Sequence, residues 1–270
     1  MDVEDRLSID ARGVAHAVKR RAIELLSAKA MIELSAAEQL MHTTVRLECE
    51  LDSGGVSTGT GFFFAFKLDG DKQIPLIVTN KHVINGAITG TFVLTKRASD
   101  GSPQMGSHET IRLDNFESLW IKHPDKDVDL AVFPLAPLLR SAETQNIPLF
   151  YITLDDSLIP NNEIVNSLGG LEDITMIGYP NGIWDKKNNM PITRRGITAT
   201  NPKLDYNGLP LFVIDCACFP GSSGSPVLIF NQGGYTDAKG NTHMGATRVI
   251  LMGVLFAGPQ HVAQGGDPNN

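Results

Sequence analysis

No stretch of the 270-residue chain approaches the ~18 consecutive apolar residues a membrane helix requires, so a membrane partner is not expected. Lysine- or arginine-rich blocks are also missing, and the formal net charge is -7. A surface built to track nucleic-acid phosphates is therefore set aside. The N-terminus, MDVEDRLSID, is acidic and lacks the apolar core of a secretory signal. Cysteine is scarce, at Cys49, Cys216 and Cys218. Cys216 and Cys218 stand too close in an extended segment for an ordinary disulfide, and no second Cys/His pair completes a zinc site. These absences predict reduced thiols, no metal, no cofactor, and a soluble cytoplasmic protein. Neither an internal repeat nor a low-complexity linker interrupts the chain.

What is present is ordinary globular composition, 42% hydrophobic and 20% charged. A chain of this length buries enough surface to need no covalent staples. Residues from about Ala11 to Met41 read as helix, and AHAVKRRAIELLSAKAMIEL within them is free of Gly and Pro and rich in Ala, Leu, Glu, Lys and Arg. Val18, Ala22, Leu25, Leu26 and Ile32 give that segment an apolar stripe at helical spacing. SAAE, from Ser35 to Glu38, has the spacing of a capping box and predicts a second, short helix there.

From Thr43 the texture changes to short strands: TTVRLECEL, GTGFFFAF, PLIVTNKHVI, GTFVLTKR and VDLAVFPL. DITMIGY, ITRRGITAT, PLFVIDCAC, SPVLIF and VILMGVLFAG follow. Turn-rich pieces separate them, the pattern of an all-β barrel or sandwich. LRSAETQNIPLFYITLDDSLIPNNE is the least strand-like interior stretch and suits a connection between two β units.

Three residues in separate segments form a chemical set. His82 ends the apolar run of IVTNKHVI, Asp129 sits in DKDVDLAVFPL, and Ser223 sits in CFPGSSGSPVLIF. A serine hydroxyl is a poor nucleophile until an imidazole takes its proton, and a carboxylate holds that imidazole in the right tautomer. The glycines beside Ser223 let the backbone bend, so that the N–H groups of Gly221 and Ser223 can converge as an oxyanion hole. Asp125 and Asp127 flank Asp129 but read as solvated turn residues. His42, His108, His123, His243 and His261 lack any matching context, and Arg194 and Arg195 read as a solvated strand edge.

In order and local context this chain resembles the trypsin/chymotrypsin superfamily of serine proteases, most closely bacterial HtrA-like and other trypsin-like peptidases. GSSGSP matches the family's G-x-S-G-x-P nucleophile loop, TNKHV its T-x-x-H turn, and DVDLAV its D-[LI]-A strand. The run IGYPNG…RRGITA…FVIDCACFPGSSGSPV is similar to the family's segments around that loop. The resemblance covers roughly residues 43 to 258 and implies two antiparallel β-barrels of chymotrypsin type. The first barrel would span about 42–140 and the second about 165–262, with residues 1–41 as a helical extension. It implies Ser223 as nucleophile, His82 as general base and then acid, and Asp129 as the orienting carboxylate. Ser222 and Ser225 fall on variable positions, so their hydroxyls are assigned no role.

The resemblance also marks departures. Relatives activated by a newly cut N-terminus carry an aspartate just before the nucleophile, where this chain has Ser222, so activation by insertion is not expected. The specificity pocket would have Ala217 at its base and Phe256 and Gly258 in its wall strand, an uncharged site for small or medium apolar side chains. Asp215 would lie one step deeper, in a structural role. Relatives usually continue with one more strand and a helix. This chain ends in QHVAQGGDPNN, so either it is truncated or the N-terminal helix covers that face. The expected function is an intracellular serine endopeptidase acting on protein or peptide substrates. The alternative is a catalytically silent peptide-binding module of the same fold. Residues 1–41 are a further candidate for docking a protein partner.

Overall fold

The computed structural model describes residues 34–68 and 72–256. Most of the helix read over 11–41, together with Gly258 and His261, lies outside them. The first described element is α1, Ala36–Met41, and it starts on the capping box read from SAAE. Ser35 Oγ accepts the Glu38 N–H at 3.3 Å, while the Glu38 carboxylate accepts the Ser35 N–H at 2.8 Å. No helix among the described residues is long and apolar enough to cross a membrane.

Strands β1 (Thr44–Leu51), β2 (Val56–Lys67) and β3 (Gln73–Thr79) follow, and β3 runs into the single turn α2 (Lys81–Ile84). Next come β4 (Ala87–Arg97), β5 (Pro103–Asp114), β6 (Ile121–Lys122), β7 (Ala131–Pro134), α3 (Ala136–Thr144), β8 (Leu149–Phe150) and β9 (Leu154–Asp155). After α4 (Asn162–Ser167) come β10 (Asp173–Gly178), β11 (Ile192–Thr198), β12 (Ile214–Asp215) and β13 (Pro226–Asn231). A hairpin of β14 (Gly234–Thr236) and β15 (Thr242–Met244) leads to β16 (Arg248–Val254).

The first sheet has the order β5-β4-β1-β2-β3-β7-β6, with β8 paired to β4 and β9 to β2. The second has the order β12-β11-β10-β13-β16. The fold is all-β, but neither sheet closes into the expected barrel among the described residues. β6 is two exposed residues followed by a turn that bonds to itself, Asp127 N–H to Asp125 Oδ1, so it does not reach β5. PLFVIDCAC contributes only Ile214 and Asp215 as strand, because the Val213 amide and carbonyl bond to the 199–200 turn instead. The expected connection between β units is partly strand, since β8 and β9 lie within it and join the first sheet.

β2 explains how the two halves hold together. Side chains alternate across a strand, and its FFF run is buried on both faces. Phe63 enters the core under the first sheet, an aromatic cluster of Phe92, Phe116, Trp120 and Phe133 with ring centroids 5.3–6.4 Å apart. Phe62 and Phe64 enter a second core that also takes Ile177 of β10, Leu228 of β13 and Leu251 of β16. One strand is thus the wall shared by two cores.

Candidate active site

His82 is carried by α2, directly after β3, and its imidazole is half exposed. Asp129 lies two residues before β7, the strand that pairs with β3. Its carboxylate meets His82 twice: Oδ2 is 2.5 Å from Nδ1, and Oδ1 accepts the His82 backbone N–H at 3.1 Å. The Asp129 carbonyl accepts from Asn80 Nδ2 at 2.8 Å, and Asn80 is fully buried. A carboxylate on Nδ1 keeps the proton there and leaves Nε2 as the basic nitrogen. Asp125 and Asp127, in the turn before Asp129, are exposed, and the carboxylate bonded to the imidazole is that of Asp129.

Ser223 sits in the loop between β12 and β13, where Gly221 (φ +86) and Gly224 (φ +85) take left-handed backbone. Close approach makes both glycines necessary. A Cβ on Gly224 would stand 1.9 Å from the Thr60 carbonyl oxygen, and one on Gly221 would stand 2.6 Å from that of Tyr179. The amides of Ser222, Gly224 and Ser225 donate to Phe219, Leu255 and Ser222 carbonyls. Those of Gly221 and Ser223 donate to nothing among the described residues. The Pro220 carbonyl accepts the Asn181 N–H at 2.5 Å. Across a trans peptide that turns the Gly221 N–H to the opposite side. Ser223 Oγ has no hydrogen-bond partner among the described residues, so the direct contact within the expected set is that of His82 with Asp129.

Thr60, at the start of the buried run of β2, ties the two halves of the site. Its N–H donates to the Ser223 carbonyl at 2.8 Å, and its carbonyl accepts from Thr79 Oγ1 at 2.7 Å. Its hydroxyl donates to the Gly221 carbonyl and accepts the Tyr179 N–H, both at 3.0 Å. Thr79 closes β3 immediately before the turn that carries His82. Sequence reasoning missed Thr60 and gave Thr79 no role, although it stands in the TNKHV motif. No residue-type signal distinguishes such a threonine from any other in a strand.

The serines on variable positions are both buried. Ser222 Oγ accepts the Phe219 N–H at 3.2 Å and Arg194 Nη2 at 3.0 Å, so its hydroxyl is engaged where the sequence reading assigned it nothing. Arg194 is likewise not a solvated edge residue: it also donates from Nη1 to the Ala217 carbonyl.

An apolar cavity of about 630 Å³ opens beside the loop, lined among others by Cys216, Cys218, Phe212, Val254 and Phe256. Ala217, expected at the base, is exposed and does not line it. Beyond the end of β12, Cys216 and Cys218 line the cavity while Ala217 between them does not. Asp215 is exposed and paired to Ile197 in β12. Burial pushes both thiols above their ordinary range, more than the nearby Arg194 charge lowers them. Such thiols are protonated and poorly nucleophilic.

A family model for the trypsin-like peptidase domain matches residues 59–234. The chain belongs to the trypsin-like peptidase family. The match runs from within β2 to the first residue of β14 and includes His82, Asp129 and Ser223. No curated protein matches this peptidase domain in sequence. Among solved structures it is similar to the HtrA-type protease AlgW, at 17% identity and a TM-score of 0.39. That match covers 80% of this chain and 58% of AlgW. For Deg5 the figures are 18% identity, TM-score 0.41, and 73% and 82% coverage. For a serine endoprotease from Yersinia pestis they are 17%, 0.38, and 81% and 62%. The chain thus spans less than two thirds of the AlgW and Yersinia proteins.

Proposed function

We propose that this domain is a serine endopeptidase working through an acyl-enzyme. In this reading Ser223 attacks the scissile carbonyl while His82 Nε2 takes the hydroxyl proton. Asp129 holds the imidazole and stabilises its charged form. The tetrahedral oxygen is received by the Gly221 and Ser223 amides. His82 then returns the proton to the leaving amine, and water repeats the cycle to release the acid. The observation that carries the reading is the doubly bonded His82–Asp129 pair, in a chain whose Gly221 and Ser223 amides donate to nothing among the described residues.

A fluorophosphonate probe reacts only with an activated serine. Covalent labelling of the wild-type protein, lost in Ser223→Ala, is the expected result. A silent peptide-binding module would leave the probe unreacted in both. Peptide hydrolysis by Ser223→Ala should fall by about 10⁴-fold or more with the melting temperature unchanged.

We further propose that the substrate residue before the cut is apolar, entering the cavity walled by Phe256 and Val254. A charge buried against that wall is costly, whereas an apolar group gains roughly 25 cal/mol per Å² removed from water; Asp205, the carboxylate in the cavity lining, is exposed to solvent. Matched peptides with Leu, Arg or Glu at that position should be turned over in favour of Leu; a preference for Arg would refute this specificity. The three free thiols support placing the enzyme inside the cell.

A further inference from the structure

Arg194 and Arg195 are neighbours on β11 with opposite fates. Arg195 faces water, its side chain 72% exposed, and stands 3.6 Å from Asp173. Arg194 turns inward, where Nη1 donates to the Ala217 carbonyl and Nη2 to Ser222 Oγ. Its guanidinium lies 5.9 Å from the Phe219 ring centroid, and Nε is buried without a partner. No carboxylate pairs with it among the described residues. The groups it grips bracket one short loop, since Ala217 opens the turn and Ser222 directly precedes Ser223. Ser222 Oγ also accepts the Phe219 N–H, so one hydroxyl gathers the guanidinium and the middle of the loop.

The free amides of Gly221 and Ser223 lie within or next to that loop, and their direction depends on its shape. From outside, the Asn181–Pro220 bond sets one peptide plane. From inside, the only side chain among the described residues that bonds to both ends is Arg194. A planar fork with two terminal nitrogens can hold a carbonyl and a hydroxyl together, which the single ammonium of a lysine does poorly.

We propose that Arg194 is a positioning residue: its guanidinium, through Ala217 and Ser222, holds the 217–223 loop so that the Gly221 and Ser223 amides converge on the developing oxyanion. The proposal rests on the catalytic reading of Ser223 given above. It also gives the loop an anchor supplied by a neighbouring strand of the same folded domain, so competence needs no cleavage of the chain. The buried partner is a neutral hydroxyl and the cation comes from β11, the reverse of an aspartate held by a chain terminus.

The test compares wild type, Arg194→Met, Arg194→Lys and the control Arg195→Met. It measures fluorophosphonate labelling rate, kcat and KM on one peptide, and thermal melting. Wild type and Arg195→Met should label at equal rates. Arg194→Met should label about 10²-fold more slowly and lose about 10²-fold in kcat, the scale of removing one oxyanion donor, with KM within about threefold. Arg194→Lys should recover little. Millimolar guanidinium ion should restore part of the Arg194→Met rate and none of the Ser223→Ala rate.

An unlabelled wild type would overturn the catalytic reading itself. A labelled wild type with Arg194→Met within threefold of it would overturn the positioning role alone, as would a loss that tracks melting temperature and resists guanidinium. Where Arg194→Met does not fold, Ser222→Ala carries the test. A kcat loss of about tenfold or more is expected there, and an unchanged kcat overturns the proposal.

Discussion

Thr60 makes four hydrogen bonds and has no exposed surface. The partners lie in three parts of the site: two in the loop that carries Ser223, one in β3, and one at the end of β10. Replacing it by valine keeps the volume but removes a hydroxyl that both gives and accepts. The Tyr179 N–H, buried behind it, would be left without an acceptor. Such an orphan costs about 1–3 kcal/mol, so Thr60→Val should lower the unfolding free energy by that margin, seen as a lower urea midpoint at unchanged slope. It should also reduce peptide turnover, because the Gly221 carbonyl loses its donor. A midpoint equal to wild type would show that the hydroxyl is not part of the frame.

At the scale of elements, α1 carries a pH dependence. His42 closes the helix, with its N–H on the Gln39 carbonyl, and its ring lies edge-on to Phe150 at 5.0 Å. Burial holds its pKa below the ordinary 6.5, and the Glu38 charge opposes this only in part. The unfolded chain therefore binds the proton more readily than the folded one. Stability is full above about pH 6.5 and falls as the pH drops through the folded pKa. His42→Gln should flatten that fall between pH 7 and 5 in thermal melts, and an unchanged slope would remove His42 as its source. The same helix shows what was legible beforehand. Ser35 and Glu38 act within three residues, so their capping box could be read directly. Strands β1 to β4 were readable from alternation and β-branched or aromatic runs. β12 was not, because Val213 finds its partners in the 199–200 turn, a choice no local pattern records. His82, Asp129 and Ser223 were marked by the short motifs around them. Arg194 was not, since a strand arginine beside another arginine looks solvated until the partner loop folds over it.

The whole molecule is tied by β2, whose Phe63 and Phe62/Phe64 serve different cores. Tyr179 at the end of β10 also reaches back, its hydroxyl 3.4 Å from the Thr44 carbonyl. Arg46 of β1 stacks 4.3 Å from the ring of Trp184, in the loop that begins β10's return. Such shared packing predicts one cooperative transition rather than two. Trp120 lies in the first core and Trp184 in the β10–β11 loop of the second half, so Trp184→Phe and Trp120→Phe each leave one fluorescent reporter. Both should give the same guanidinium midpoint, once the cost of each substitution is subtracted by circular dichroism on the same sample. Separated midpoints would mean the halves unfold independently. The arrangement also has a consequence for the chain as it is being made. His82 and Asp129 leave the ribosome well before Ser223, and the Gly224 amide has no acceptor until Leu255 has followed. In the proposed mechanism a half-synthesised chain thus carries a base with no hydroxyl to act on, and it stays inert toward itself and its neighbours until Leu255 has been added.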